Sequence, residues 1–141
     1  MQSASQAVGV SKASLWAGRI ISALVVLFMV FDGALKVFRQ PPAVEGTITL
    51  GYPVSVVFPL GILVLVCVLL YVIPQSSVLG AILLTAYLGG AVATHVRVGN
   101  PLFTHVLFPT YVGVLAWLGL YLRDQRLRAL IPLRRAVPEM T

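Results

Sequence analysis

Charge is what this sequence has least of. Only 10% of its 141 residues are Asp, Glu, Lys or Arg, and 59% are hydrophobic; soluble domains carry about a quarter charged residues. A chain this apolar has too little polar surface to cover a water-facing globule. That excludes the soluble class and leaves the membrane class. Cysteine is nearly missing as well. Cys67 stands alone inside an apolar run, which excludes an intramolecular disulfide, a CxxC redox pair and a cysteine-built metal cluster. No internal repeat is evident, and no small-residue cleavage site follows the first apolar run. That run therefore reads as a span and not as a signal-peptide core.

What is present is a set of long uncharged stretches. A spanning helix needs about 20 mostly apolar residues. YPVSVVFPLGILVLVCVLLYVI, residues 52–73, meets that directly; 78–95 and 102–122 are further spans, the last with His105 as its one ionisable group. A first span over 15–38 carries Arg19, Asp32 and Lys36 near its ends. The length allows one domain: a tail over 1–14, an all-α, four-helix transmembrane bundle over 15–122, and a basic tail over 123–141. PPAVEGTITLGYP reads as a structured loop or re-entrant segment and not as a helix. PQSS and VGNP read as tight turns, with Pro101 suited to opening the fourth helix.

The formal charge of +6 would suit nucleic acid, but its distribution points elsewhere. Lys12 and Arg19 flank the first span, and Arg123, Arg126, Arg128, Arg134 and Arg135 follow the last; the opposite loops hold only Lys36, Arg39 and Arg97. Positive residues stay on the cytoplasmic side, so both termini are expected to be cytoplasmic. The tail is expected to lie against anionic lipid with Leu127, Leu130 and Ile131 in the interface. No nucleic-acid partner is expected.

The polar residues converge on the other end. Asp32 and Lys36 sit one turn apart on one helix face, near the end of the first span. Thr94 and His95 end the third span with Arg97 just beyond, Asn100 lies in the turn, and His105 stands about one turn into the fourth. Glu45 belongs to the loop after the first span and Tyr52 to the start of the second. An ionisable group inside a span costs about 2.5–3.5 kcal/mol on insertion scales, so it normally faces the protein interior and finds a partner. A polar pocket is expected at this end. Asp32, His95 and His105 are the candidate acid–base groups. Lys36, Glu45, Tyr52, Tyr87, Thr94, Arg97 and Asn100 are candidate ligand-binding groups. Asp32 has Lys36 or Arg97 as cationic partner, with Glu45 taking the other. Gly89-Gly90, with Ala91 and Ala93, reads as a close-packing face open to a neighbouring helix or a homodimer. Pro109 reads as a kink that widens the cavity. Trp16, Tyr71, Trp117 and Tyr121 read as interface anchors.

Three stretches, FDGALKVF, VEGTITLGYP and VLGAILLTAYLGGAVATHVRVGNPLFTHVLFP, resemble the DoxX-like family of small bacterial membrane proteins. The resemblance runs from about Gly18 to Leu133 and is most specific from Gly80 to Pro109. It is carried by Asp32, Gly33, Lys36, Glu45, Gly51, Tyr52, Gly80, Gly89, Gly90, Ala93, Thr94, His95, Arg97, Pro101 and His105. It implies a four-helix bundle in a bacterial cytoplasmic membrane. Wider relatives include a subunit of a thiosulfate:quinone oxidoreductase and subunits tied to redox or thiol maturation, though the lone Cys67 does not suit thiol chemistry.

Two functions follow as expectations. One is a redox-associated subunit that binds a lipophilic, quinone-like molecule, its head hydrogen-bonded by His95 or His105 and its protons relayed by Asp32 or Glu45. The other is a membrane enzyme doing cofactor-free acid–base chemistry, such as isomerisation, hydrolysis or cyclisation, on a lipophilic substrate. Haem ligation by His95 and His105 ranks lower, because both lie at the rim with charged neighbours. Metal binding by the histidines with Asp32 has no spacing motif behind it. A transporter or scaffold would need a dimer to build a path from so few helices.

Overall fold

The computed structural model describes residues 10–131. Four helices are long and apolar enough to cross a membrane, as expected, and no strand occurs among the described residues. Helix α1 (Lys12–Val37) begins at Ser11, whose hydroxyl accepts from the Ser14 N–H and caps the first turn. At 26 residues it extends for about 39 Å, more than the ~30 Å of hydrocarbon a bilayer presents. It ends at Phe38, and Arg39 turns the chain with φ of 50°.

The next element departs from expectation. PPAVEGTIT is a helix, α2 (Pro41–Thr49), not a loop. Pro41 and Pro42 occupy its first turn, where a missing N–H costs nothing and the fixed φ is already helical. A short 3-10 turn (Val54–Val56) leads into α3 (Val57–Val72), and a turn at 73–76 into α4 (Ser77–Arg97). Gly99, with φ of 72°, reverses the chain. The fourth crossing is interrupted: a π-helical turn (Leu102–Val106) gives way at Leu107 to α5 (Phe108–Arg123), with Pro109 in the first turn of the new helix. Pro109 thus restarts a helix where the sequence suggested only a kink. A short α6 (Gln125–Leu130) follows.

The four crossings form a ring: α1 packs on α3 and α5, and α4 packs on the same two. Val25, Met29, Val64, Cys67, Tyr71, Leu84, Ala116 and Leu120 fill the centre. Large apolar side chains such as Leu27 (67% exposed), Phe31 (63%) and Leu69 (60%) point outward, the reverse of a soluble bundle. One end carries the start of α1, the α5–α6 junction and the α3–α4 turn (the terminal end). The other carries α2, the α4–α5 turn and the π turn (the loop end).

The helices approach closely at the terminal end. A Cβ on Gly80 would lie 2.2 Å from the Tyr71 backbone nitrogen, and one on Gly18 would lie 2.8 Å from the Gly119 carbonyl oxygen. Only glycine allows these backbone approaches. Tyr71, expected at the lipid interface, is fully buried. Its hydroxyl donates to the Ala116 carbonyl at 2.6 Å, so it accepts from Ser22 at 3.1 Å, and Ser22 in turn accepts from Arg123 Nε at 3.0 Å. Arg128 reaches back to the carbonyls of Tyr121 (2.8 Å) and Leu122 (3.0 Å) and to Ser14 Oγ (2.6 Å). Those carbonyls are among the last four of α5, which have no helical partner of their own. The start of the basic tail is therefore a clasp on the bundle. Leu127, expected in the interface, is 2% exposed. Arg134 and Arg135 lie outside the described residues.

Candidate functional site

The loop end is hollow. A cavity of about 700 Å³ opens between α1, α2, α3, α4 and the start of α5. Its lower wall is apolar, with Phe28, Met29, Leu60, Leu63, Leu88, Phe108 and Val112. Phe28 and Phe108 meet edge to face at 5.4 Å. Helix α2 covers one side with Pro42, Ala43, Gly46 and Thr47, residues that share a helix face at i, i+1, i+4 and i+5. Gly46 and Gly90 line the cavity, and a Cβ built on either meets nothing within 4 Å. Gly89 is equally unopposed. The expected close helix packing at Gly89-Gly90 is thus absent among the described residues. At Gly90 the missing side chain leaves volume that belongs to the cavity.

The polar rim holds Asp32, Lys36, Tyr52, Tyr87, Thr94, His95, Asn100 and His105. Asp32 and Lys36 form an ion pair one turn apart, with the Lys36 side chain 13% and the Asp32 side chain 34% exposed. Of the partners considered for Asp32, the structure pairs it with Lys36. Thr94 Oγ1 donates to the Gly90 carbonyl at 2.8 Å, as β-hydroxyl groups in helices do. The Tyr52 hydroxyl therefore donates to Thr94, at 2.8 Å, and keeps its own lone pairs for another donor. His95 Nδ1 lies 2.7 Å from the Asn100 amide nitrogen. That nitrogen can only donate, so Nδ1 accepts and neutral His95 carries its proton on Nε2. His105 Nδ1 lies 2.8 Å from the Thr104 hydroxyl. The two imidazoles meet edge to face with centroids 5.9 Å apart.

Two of the expected residues stand outside the lining. Glu45 is exposed on α2 and forms no ion pair among the described residues. Arg97 donates to the Leu50 carbonyl at 2.7 Å, with its guanidinium 5.6 Å from the Tyr52 ring centre. It holds the α2–α3 link, and with it Tyr52, from behind. Chemically, the rim offers an imidazole N–H, an ammonium, a carboxylate and a phenol oxygen above a greasy chamber. No group of three or more His, Cys, Asp or Glu suited to a metal ion occurs among the described residues. An apolar-walled pocket roofed by the Pro-rich segment was expected from sequence; the helical form of that roof and the individual wall residues were not. The Pro pair at 41–42 was the available signal for α2, because Pro favours the first helical turn.

The sequence model of a family described as DoxX-like matches residues 20–119. No curated protein and no solved structure matches the chain. The chain belongs to the DoxX-like family, and with its four apolar crossings it is an integral membrane protein.

Proposed function

We propose that this DoxX-like protein binds a lipophilic molecule with a carbonyl-bearing polar head, of which a quinone is the type, in the loop-end cavity, and that it does so as a redox-associated subunit. The observation that carries the reading is the cavity's division: about 700 Å³ with a hydrocarbon wall below and convergent polar groups at one rim. That is the pattern of small-molecule sites, where a few placed polar groups orient a mostly buried apolar body. His95 Nε2–H and the Lys36 ammonium would donate to a head carbonyl. Asp32, His95 and His105 would take up or release protons, and electrons would belong to a partner redox subunit. We place both termini in the cytoplasm of a bacterium and the cavity at the opposite leaflet, because the arginines gather at the terminal end.

The test uses Gly90. Replacing it with leucine places a Cβ with no protein atom within 4 Å and extends the side chain from the cavity wall. Exchanging glycine for leucine, a good helix former, should itself gain about 0.5–0.8 kcal/mol. Wild-type protein in detergent should be stabilised by decylubiquinone, by about 2.7 kcal/mol at a hundredfold excess over Kd. Gly90→Leu should fold at least as well and lose that response. No response in the wild type, or an equal one in Gly90→Leu, would refute the reading.

The contact between His95 and His105, with Asp32 on the same wall, also supports acid–base catalysis on a lipophilic substrate. Asp32→Asn separates the two readings. It would abolish turnover in an enzyme, while a binding subunit would keep its ligand.

A further inference from the structure

The terminal end carries a second, smaller hollow of about 460 Å³, where α1, the α3–α4 turn and the α5–α6 junction meet. Arg19, Arg123 and Arg126 line it, with Leu15, Pro74 and Asp124. Among the described residues, no carboxylate lies within ion-pair distance of these arginines. Asp124 uses Oδ1 to cap α6, accepting from the backbone N–H groups of Arg126 and Leu127 at 2.8 and 3.4 Å. Arg123 donates Nε to Ser22 and one Nη to the Tyr71 carbonyl at 3.4 Å. A guanidinium has five N–H groups, so three remain. The Arg19 and Arg126 side chains make no hydrogen bond among the described residues. The hollow is thus walled by three cations and one carboxylate, with forks matched to phosphate oxygens. Arg19 also stands 5.7 Å from the ring centre of Trp16, which is 61% exposed. Aromatics so placed mark the lipid–water boundary, where headgroups lie.

We propose that this hollow binds the phosphodiester head of an anionic glycerophospholipid that carries no amine. The phosphate sits between Arg19, Arg123 and Arg126, and the glycerol and first acyl carbons lie on Leu15 and Pro74. Excess positive charge between membrane helices attracts anionic heads and repels the ammonium of a choline or ethanolamine lipid. The site is separate from the loop-end cavity, and its fate does not depend on what that cavity binds.

The experiment gives full-length protein in detergent phosphatidylglycerol, phosphatidylcholine or inorganic phosphate. Retained lipid is counted by native mass spectrometry, and stabilisation is read by thermal shift. Phosphatidylglycerol should be retained and stabilise; phosphatidylcholine should do neither. Each arginine removed should weaken phosphatidylglycerol roughly fivefold, so Arg19→Gln/Arg126→Gln should lose about 25-fold. Arg19→Lys/Arg126→Lys, which keeps charge but not the planar fork, should fall between. Should the glutamine pair fold poorly, the lysine pair carries the comparison. Equal retention of the two lipids overturns the proposal, as does unchanged affinity in both variants. If inorganic phosphate alone stabilises as well as the lipid, the site belongs to a soluble anion and the lipid assignment fails.

Discussion

At each end of the bundle an arginine lies over a tyrosine ring and donates to a backbone carbonyl. Arg123 covers Tyr71 at the terminal end, and Arg97 covers Tyr52 at the loop end. At each end a chain of hydroxyls terminates on a helix carbonyl, through Ser22 and Tyr71 to Ala116, or through Tyr52 and Thr94 to Gly90. Yet the bundle is packed solid around Tyr71 and hollow beside Tyr52. Part of the difference lies in the glycines that line each space. Gly18 and Gly80 bring backbones into contact, whereas Gly46 and Gly90 face empty space. The same residue closes one core and opens the other, so Ser22 and the Tyr71 hydroxyl are paired inside the terminal-end core, while the Tyr52 hydroxyl at the loop end keeps capacity for a ligand.

The sharpest way to break this contrast is to hollow the solid core. Tyr71 is fully buried and central to the core. Truncating a buried aromatic to alanine costs about 3–5 kcal/mol. Lipid already solvates apolar groups, so the loss of transfer energy is reduced and the cavity term dominates. We expect Tyr71→Ala to cost about 3 kcal/mol in an SDS-unfolding titration, with ligand binding at the loop end preserved in the folded fraction. A much smaller loss would mean that the terminal end is not the rigid base of the bundle.

The next effect tests whether the loop-end ion pair belongs to the site or to the scaffold. Removing one partner of a fully buried pair costs about 3–5 kcal/mol, because the remaining charge has no counterpart. Asp32 is about a third exposed, so Asp32→Ala should cost about 2 kcal/mol. Adding Lys36→Met should recover most of that loss, since no lone charge then remains. A double-mutant cycle reads the coupling directly. If the double variant is as unstable as Asp32→Ala, the pair matters for shape and not for charge. If it is stable but blind to ligand, the pair is part of the site.

The spans were legible because charge-free runs of membrane length have few other readings, and the gathering of Asp32, Lys36, His95 and His105 followed from counting which end each helix reaches. The roles of individual residues were less legible. Gly89-Gly90 was read as a packing face because small residues permit close approach, but no other helix of the described chain meets it. Arg123 and Arg128 were read as tail charges because their partners are the Ser22 and Ser14 hydroxyls and the carbonyls of Tyr71, Tyr121 and Leu122, and carbonyls leave no mark in a sequence. Helix α2 was missed because its nine residues lack a side-chain cap and contain Gly46. Glu45 was included because it is acidic and nearby, and only the helical phase of α2 turns it outward.

The smallest effect is the most diagnostic, because it makes the same chemical change at both ends. Tyr71→Phe removes a hydroxyl from a dry core. Ser22 loses its acceptor there, and no water can take its place. Tyr52→Phe removes a hydroxyl from a cavity rim, where water can donate to Thr94 instead. Interhelical hydrogen bonds in membranes average about 0.6 kcal/mol and reach about 1.7. We expect Tyr71→Phe near the upper figure, about 1.5 kcal/mol, and Tyr52→Phe near or below the average, about 0.5 kcal/mol. The gap should narrow when decylubiquinone fills the cavity and displaces the substituting water, because the Tyr52 hydroxyl then has no replacement. Equal costs without ligand would show that the loop-end rim is as dry as the core, and a gap unmoved by the quinone would show that the ligand does not reach Tyr52.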